Sequence, residues 1–122
     1  MRIVDYDVLR ELAGVGTDSG CGFMTELMDR FASDARGTLE RMRACARAGD
    51  SPRLAREAHR LKGSSATVGA VALASECLEM ERCARAGSCA GIEAKLDAAL
   101  TLLDTTHSHI TQFFRGKIAA PA

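Results

Sequence analysis

The chain predicts an all-α protein, an antiparallel up-and-down four-helix bundle with a short extra helix at its N-terminus. Three observations carry that expectation. Apolar residues recur at alternating steps of three and four along most of the 122 residues, which is the period of a helix with one buried face. Only two prolines occur, Pro52 and Pro121, so nothing forbids long helices between them and before them. Glycines stand where the apolar pattern breaks, around Gly14, Gly49, Gly69 and Gly87. At 47% hydrophobic and 26% charged, the chain suffices for one core and is too short for two ordinary domains, so a single domain over 1–122 is expected.

A first helix is expected over residues 5–13, closed by a loop from Gly14 to Gly22 that holds four of the eleven glycines. The second, over 22–48, places Met24, Leu27, Phe31, Ala35, Thr38, Met42 and Cys45 on one stripe. Gly37 within it reads as a bend or a close helix contact. In Gly49-Asp50-Ser51-Pro52, the glycine ends one helix, Asp50 or Ser51 caps the next, and Pro52 fits its first turn. The third helix, over 51–67, buries Leu54, Ala58, Leu61, Ser65 and Val68. Gly69 turns the chain into a fourth helix over 70–86, striped by Leu73, Cys77, Met80 and Ala84. Gly87-Ser88 breaks the pattern again. The last helix, over 89–114, carries Ile92, Leu96, Ala99, Leu103, Ile110 and Phe113 in a row interrupted by Thr106, and residues 115–122 are left as a flexible tail.

Composition excludes several function classes. Sixteen basic residues balance sixteen acidic ones, and the aromatics are Tyr6 and four phenylalanines; neither a phosphate-backbone footprint nor a base-stacking surface results, so no nucleic acid is expected as partner. The five cysteines form no C-x-x-C pair, and Cys45, Cys77 and Cys83 fall within helical patterns as small apolar residues, as in a reducing compartment. No stretch approaches the roughly 20 apolar residues of a membrane span. A cytoplasmic protein without direct membrane contact is expected, either free-standing or part of a larger, membrane-attached protein.

The segment Ala58-His59-Arg60-Leu61-Lys62-Gly63-Ser64-Ser65-Ala66 concentrates the chemistry. At about 100° per residue, His59 lies roughly 140° from the middle of the buried stripe of its helix. Ala55, Gly63 and Ala66 surround it one turn below and one to two turns above, Lys62 sits at the stripe's border, and Arg56 and Arg60 flank the other side. A glycine inside a helix costs about 1 kcal/mol relative to alanine, so its presence beside the imidazole suggests that something must approach the helix there. An exposed histidine alone is most often a solvated residue; on a platform of small residues with cations around it, His59 reads as an exposed nucleophile. If the turn centres on Gly69, Glu81 falls level with His59 across the hairpin, where a carboxylate can accept from Nδ1–H and leave Nε2 outward with its lone pair free. Arg85, one turn beyond, either pairs with Glu81 or contacts a bound phosphoryl group.

Other constellations are weaker. His107 and His109 point about 160° apart on a helix and do not readily share a metal; both read as surface or rim residues. There is no Glu-x-x-His of the carboxylate-bridged metal bundles, no G-x-x-x-x-G-K-[ST] and no G-x-G-x-x-G, and Ser64 and Ser65 have no triad partners. The chain is therefore expected to hold no metal or cofactor and to be no ATP-dependent kinase.

His59-Arg60-Leu61-Lys62-Gly63-Ser64-Ser65, followed by Gly69-Ala70 and Cys77-Leu78-Glu79, closely resembles the histidine phosphotransfer (HPt) domains of two-component phosphorelays. The resemblance covers nearly the whole chain. It implies a left-handed up-and-down bundle whose His59 accepts a phosphoryl group from a receiver domain's aspartyl phosphate and passes it to another response regulator. It also implies that Lys62 holds phosphoryl oxygens, Gly63 clears space for the receiver, Gly69 closes the helix pair, and Glu81 stands where some relatives carry a glutamine bonded to the imidazole. Mg²⁺ would come with the receiver. Partners would be receiver domains or a hybrid sensor histidine kinase, meeting a monomer through a surface that includes Ala55, Arg56, Arg60 and Ala66. The rival reading from another class is an unphosphorylated helical module that docks a signalling partner through the same face.

Overall fold

A computed structural model of the chain describes residues 2–15 and 20–116, the side chains of residues 15 and 20–23 excepted. The described residues form five helices and no strand: α1 (Tyr6–Val15), α2 (Gly20–Ala48), α3 (Ser51–Thr67), α4 (Val71–Arg85) and α5 (Ile92–Phe114). Helices α2 to α5 pack in a ring, each against its neighbours in sequence and α5 back against α2, while α1 lies against α2 and α5. This is the expected bundle with its extra N-terminal helix.

One core runs through the ring, with Leu39, Met42, Leu54, Leu73, Met80, Ile92, Leu96 and Leu103 all fully buried. A second cluster at one end joins Val4 and Leu9 to Met24, Met28, Ile110 and Phe114. Three short connections set the register. Asp50 caps α3 through its side chain, which accepts from the Arg53 amide at 3.2 Å, with Pro52 in the first turn. Gly69 turns α3 into α4 at φ +79°, and a Cβ there would meet the Asp5 carbonyl at 3.1 Å and Val8 at 3.3 Å. Its own carbonyl accepts from the Asp5 amide at 2.8 Å, and Ile3 accepts from the Ala72 amide at 3.3 Å. The segment before α1 is thus stapled to the hairpin turn.

Several boundaries and faces differ from the sequence reading. Helix α1 runs to Val15 through Gly14, and α2 begins at Gly20, so Gly20 and Gly22 belong to a helix and not to a loop from Gly14 to Gly22; glycine weakens a helix by about 1 kcal/mol without forbidding it. Residues 16–19 of that loop and residues 117–122 of the expected tail lie outside the described residues, as does the Cys21 side chain. Helix α5 begins at Ile92 and not at residue 89, because Gly91 takes φ +74° as the residue before it. The stripe of α2 holds at Met24, Ala35, Thr38, Met42 and Cys45, all buried, but in its first half Met28 and Ala32 are buried where Leu27, 39% exposed, and Phe31, half-buried, were expected. Gly37 makes no close helix contact, since a Cβ there would meet only the Arg41 guanidinium at 3.6 Å. In α5 the row continues through a fully buried Thr106 and ends on Phe114, with Phe113 half-buried against Tyr6.

Candidate functional site

Helix α3 presents His59 midway along its length, with the side chain 60% exposed. Its depth is set by the buried residues on either side in sequence, Ala58 and Leu61, both within 3% of full burial. Helix α4 supplies the partner: Glu81, buried at 5% exposure, sits level with the imidazole and accepts from Nδ1 at 3.0 Å. An ionised carboxylate only accepts, so Nδ1 carries the hydrogen, and in the neutral imidazole the lone pair then lies on Nε2. Nε2 has no hydrogen-bond partner among the described residues.

The same carboxylate gathers the site's cations. Lys62 Nζ donates to Oε1 at 3.0 Å, while Arg85 donates to Oε2 through Nε at 2.9 Å and through its terminal nitrogen at 2.7 Å. Burial alone would push the Glu81 carboxyl up; hydrogen bonds from Arg85, Lys62 and His59, with the charge of Lys62, outweigh it and hold it down at about 2. One carboxylate between two cations leaves a surplus of positive charge beside the imidazole, where a transferred anion would lie.

Helix α3 is fastened on its other side as well. Glu57, buried two residues before His59, takes Arg41 of α2 on one oxygen and Arg60 on the other, both at 3.2 Å, and Arg41 also donates to the Thr38 hydroxyl at 2.9 Å. The sequence reading missed this clamp. The Glu57–Arg60 spacing of three was visible, but the reach from Arg41 across two helices was not.

Gly63 stands one turn above the imidazole, exposed, with nothing within 4 Å of where a Cβ would be. No contact inside the domain requires a glycine there. Ala66 is exposed further along the same side, and Arg56 and Arg60 are exposed at the flanks. Ala55 is not part of an accessible platform, contrary to expectation: it is buried, at the floor of a groove between α3 and α4, because the α3–α4 packing turns it inward beside Ala84. The other two histidines lie elsewhere. His107 bonds Asp29 across α5 and α2 at 2.7 Å, and His109 is half-buried. Among the described residues no group of three or more His, Cys, Asp or Glu could hold a metal ion, and no helix is long and apolar enough to cross a membrane. Burial raises the Cys45 thiol, and it raises that of Cys77 to about 12.

A helical bundle that displays one imidazole, anchored through Nδ1 and open at Nε2, with cations beside it and bare helix above it, has the form of a phosphoryl-carrying module. The comparisons agree. The Hpt domain family matches residues 26–110, and the chain belongs to that family. Among solved structures, it is similar to the crystal structure of histidine-containing phosphotransfer protein B (HptB) from Pseudomonas aeruginosa PAO1, at 30% identity over 93% of this chain and 96% of that one, with a TM-score of 0.81. No curated protein sequence matches. The family's work is histidine phosphotransfer between the receiver domains of two-component systems, as a carrier and not as a kinase.

Proposed function

We propose that His59 is the phosphoryl acceptor of this domain. Nε2 attacks the phosphorus of a receiver's aspartyl phosphate in line with the leaving carboxylate oxygen; a P–N bond forms as the P–O bond breaks, and the reverse step delivers the group to a second receiver. The observation that carries the reading is the 3.0 Å bond from His59 Nδ1 to the buried Glu81, which fixes the tautomer and leaves Nε2 outward. Glu81 positions the imidazole. Lys62 and Arg85, already held beside the ring by Glu81, turn toward the phosphoryl oxygens when the group arrives, and Gly63 admits the receiver.

In this reading the divalent cation comes with the receiver, and the domain acts in the cytoplasm as a monomer that needs no cofactor of its own. Support for the first point is that both Glu81 oxygens are occupied by protein donors. The test is transfer of label from phosphorylated receivers. Wild-type protein takes up acid-labile, base-stable label, and His59→Gln takes up none. Label on His59→Gln would refute His59 as acceptor, and a wild-type protein that binds receivers without ever taking label would leave only a docking module.

A further inference from the structure

The surface around His59 is asymmetric along α3. Beyond the imidazole, toward Gly69, the exposed residues Gly63, Ser64, Ala66 and Thr67 carry no charge. Toward the other end of the hairpin, Arg53 and Arg56 are exposed on the first turns of α3, and Arg82 and Arg85 on the last turns of α4. Among the described residues, the Arg53, Arg56 and Arg82 guanidinium groups have no ion-pair partner, unlike Arg60 and Arg85.

The gap between the helices at this end is a groove of about 420 Å³ lined by Ser51, Pro52, Ala55, Arg56, Ala84 and Arg85, with Gly87 at its end. Its floor is two buried alanines and its rims are two arginines. A second groove, between α2 and α3, is lined by Phe31, Asp34, Ala35, Thr38, Arg60, Leu61 and Ser64. That one carries charge of both signs and, because Arg60 is already paired with Glu57, selects no partner chemistry. The α3–α4 groove does. A guanidinium with no partner, set over a floor of small residues, fits a carboxylate as a forked donor.

We infer that this groove receives an Asp or Glu side chain from the rim of the cognate receiver, outside that receiver's phosphoacceptor pocket, and that Arg56 is its principal contact. The inference rests on the carrier reading and adds orientation to it. Arg56 lies one turn before His59 on the same side of α3, about 4.5 Å along the helix axis, so the acidic side chain and the phosphoryl group are held by neighbouring turns. The receiver's uncharged side then covers Gly63 and Ala66. Arg56 thus selects among receivers by their charge at one place and fixes which way round they dock.

The experiment charges a panel of receiver domains with acetyl phosphate and Mg²⁺ and follows label onto the full chain, wild-type and Arg56→Glu, at low and high salt. For a receiver with an acidic side chain at that position, Arg56→Glu lowers the second-order rate constant about tenfold at low salt. The loss sits in KM, narrows at high salt, and is recovered when the receiver's acidic residue is changed to lysine. Equal rates for the two proteins at low salt, or the same loss for receivers without an acidic residue there, would overturn the inference while the carrier reading stands. Wild-type protein that takes label from no receiver would bring down both.

Discussion

Two of the sets of ion pairs in this bundle do different work. Between α2 and α5, Arg43 reaches Glu93 and Asp97 at 3.2 and 2.7 Å, Arg47 reaches Glu93 at 2.9 Å, and Arg36 pairs with Asp104. Their carboxylates lie in water. Between α3 and α4, a single carboxylate out of water takes His59, Lys62 and Arg85. The residue types are nearly the same; the burial of the acceptor differs. A solvated acceptor exchanges its partner for water or salt at little loss, whereas a buried one left unpaired is costly, so it holds its partners in one geometry. Position for the imidazole comes from the second kind, and the first only dresses the seam.

The sharpest test of that contrast is Glu81→Ala. It should slow phosphoryl uptake at least tenfold by freeing the imidazole, and lower unfolding stability by about 1–3 kcal/mol, read by labelled transfer and urea denaturation. Glu81→Gln, which keeps an acceptor for Nδ1–H, should recover most of the transfer rate. Next comes pH. With its carboxyl held near 2 in the folded protein against an ordinary value of 4.5, Glu81 contributes stability in full above about pH 4.5. That contribution disappears as pH falls toward 2. Thermal midpoints followed from pH 6 to pH 2 should therefore fall more steeply for wild-type protein than for Glu81→Gln; parallel curves would show that the carboxylate is not held as described.

Gly63→Ala should raise stability by up to about 1 kcal/mol, since its Cβ meets nothing, and Gly63→Gln should slow transfer from receivers by crowding the approach to the ring. A destabilised Gly63→Ala protein would point to an internal reason for the glycine. The smallest effect belongs to the α2–α5 seam. Arg47→Ala should change stability by less than about 1 kcal/mol, and that change should vanish with added salt. A loss as large as that of Glu81→Ala would erase the distinction between the two sets.

How much of this was legible beforehand follows from distance along the chain. The level of Glu81 with His59 could be read because one glycine, Gly69, fixes the turn, and similar counts along two antiparallel helices, ten residues before it and twelve after it, then meet. The cap at Asp50 and the stripe of α4 are local and equally readable. The stripe of α2 was readable only in part: over 29 residues an ideal helix drifts against any fixed alternation of threes and fours, so Met24 and the residues from Ala35 to Cys45 were placed rightly while Leu27 was given the place that Met28 holds. Ala55 was misplaced because the wheel describes one helix, while its burial comes from α4. The Arg41–Glu57 clamp and the staple from Ile3 and Asp5 onto the α3–α4 turn join residues with no shared local pattern.

That staple decides where the chain's amino side meets the bundle. Gly69 lies ten residues beyond His59, just past the end of α3 and about 15 Å away at the rise of a helix, so the segment before α1 is tied down at the end opposite the Arg56 groove. A tether attached upstream would therefore meet the bundle beside the α3–α4 turn, where Asp5 and Ile3 bond Gly69 and Ala72, and not beside the imidazole.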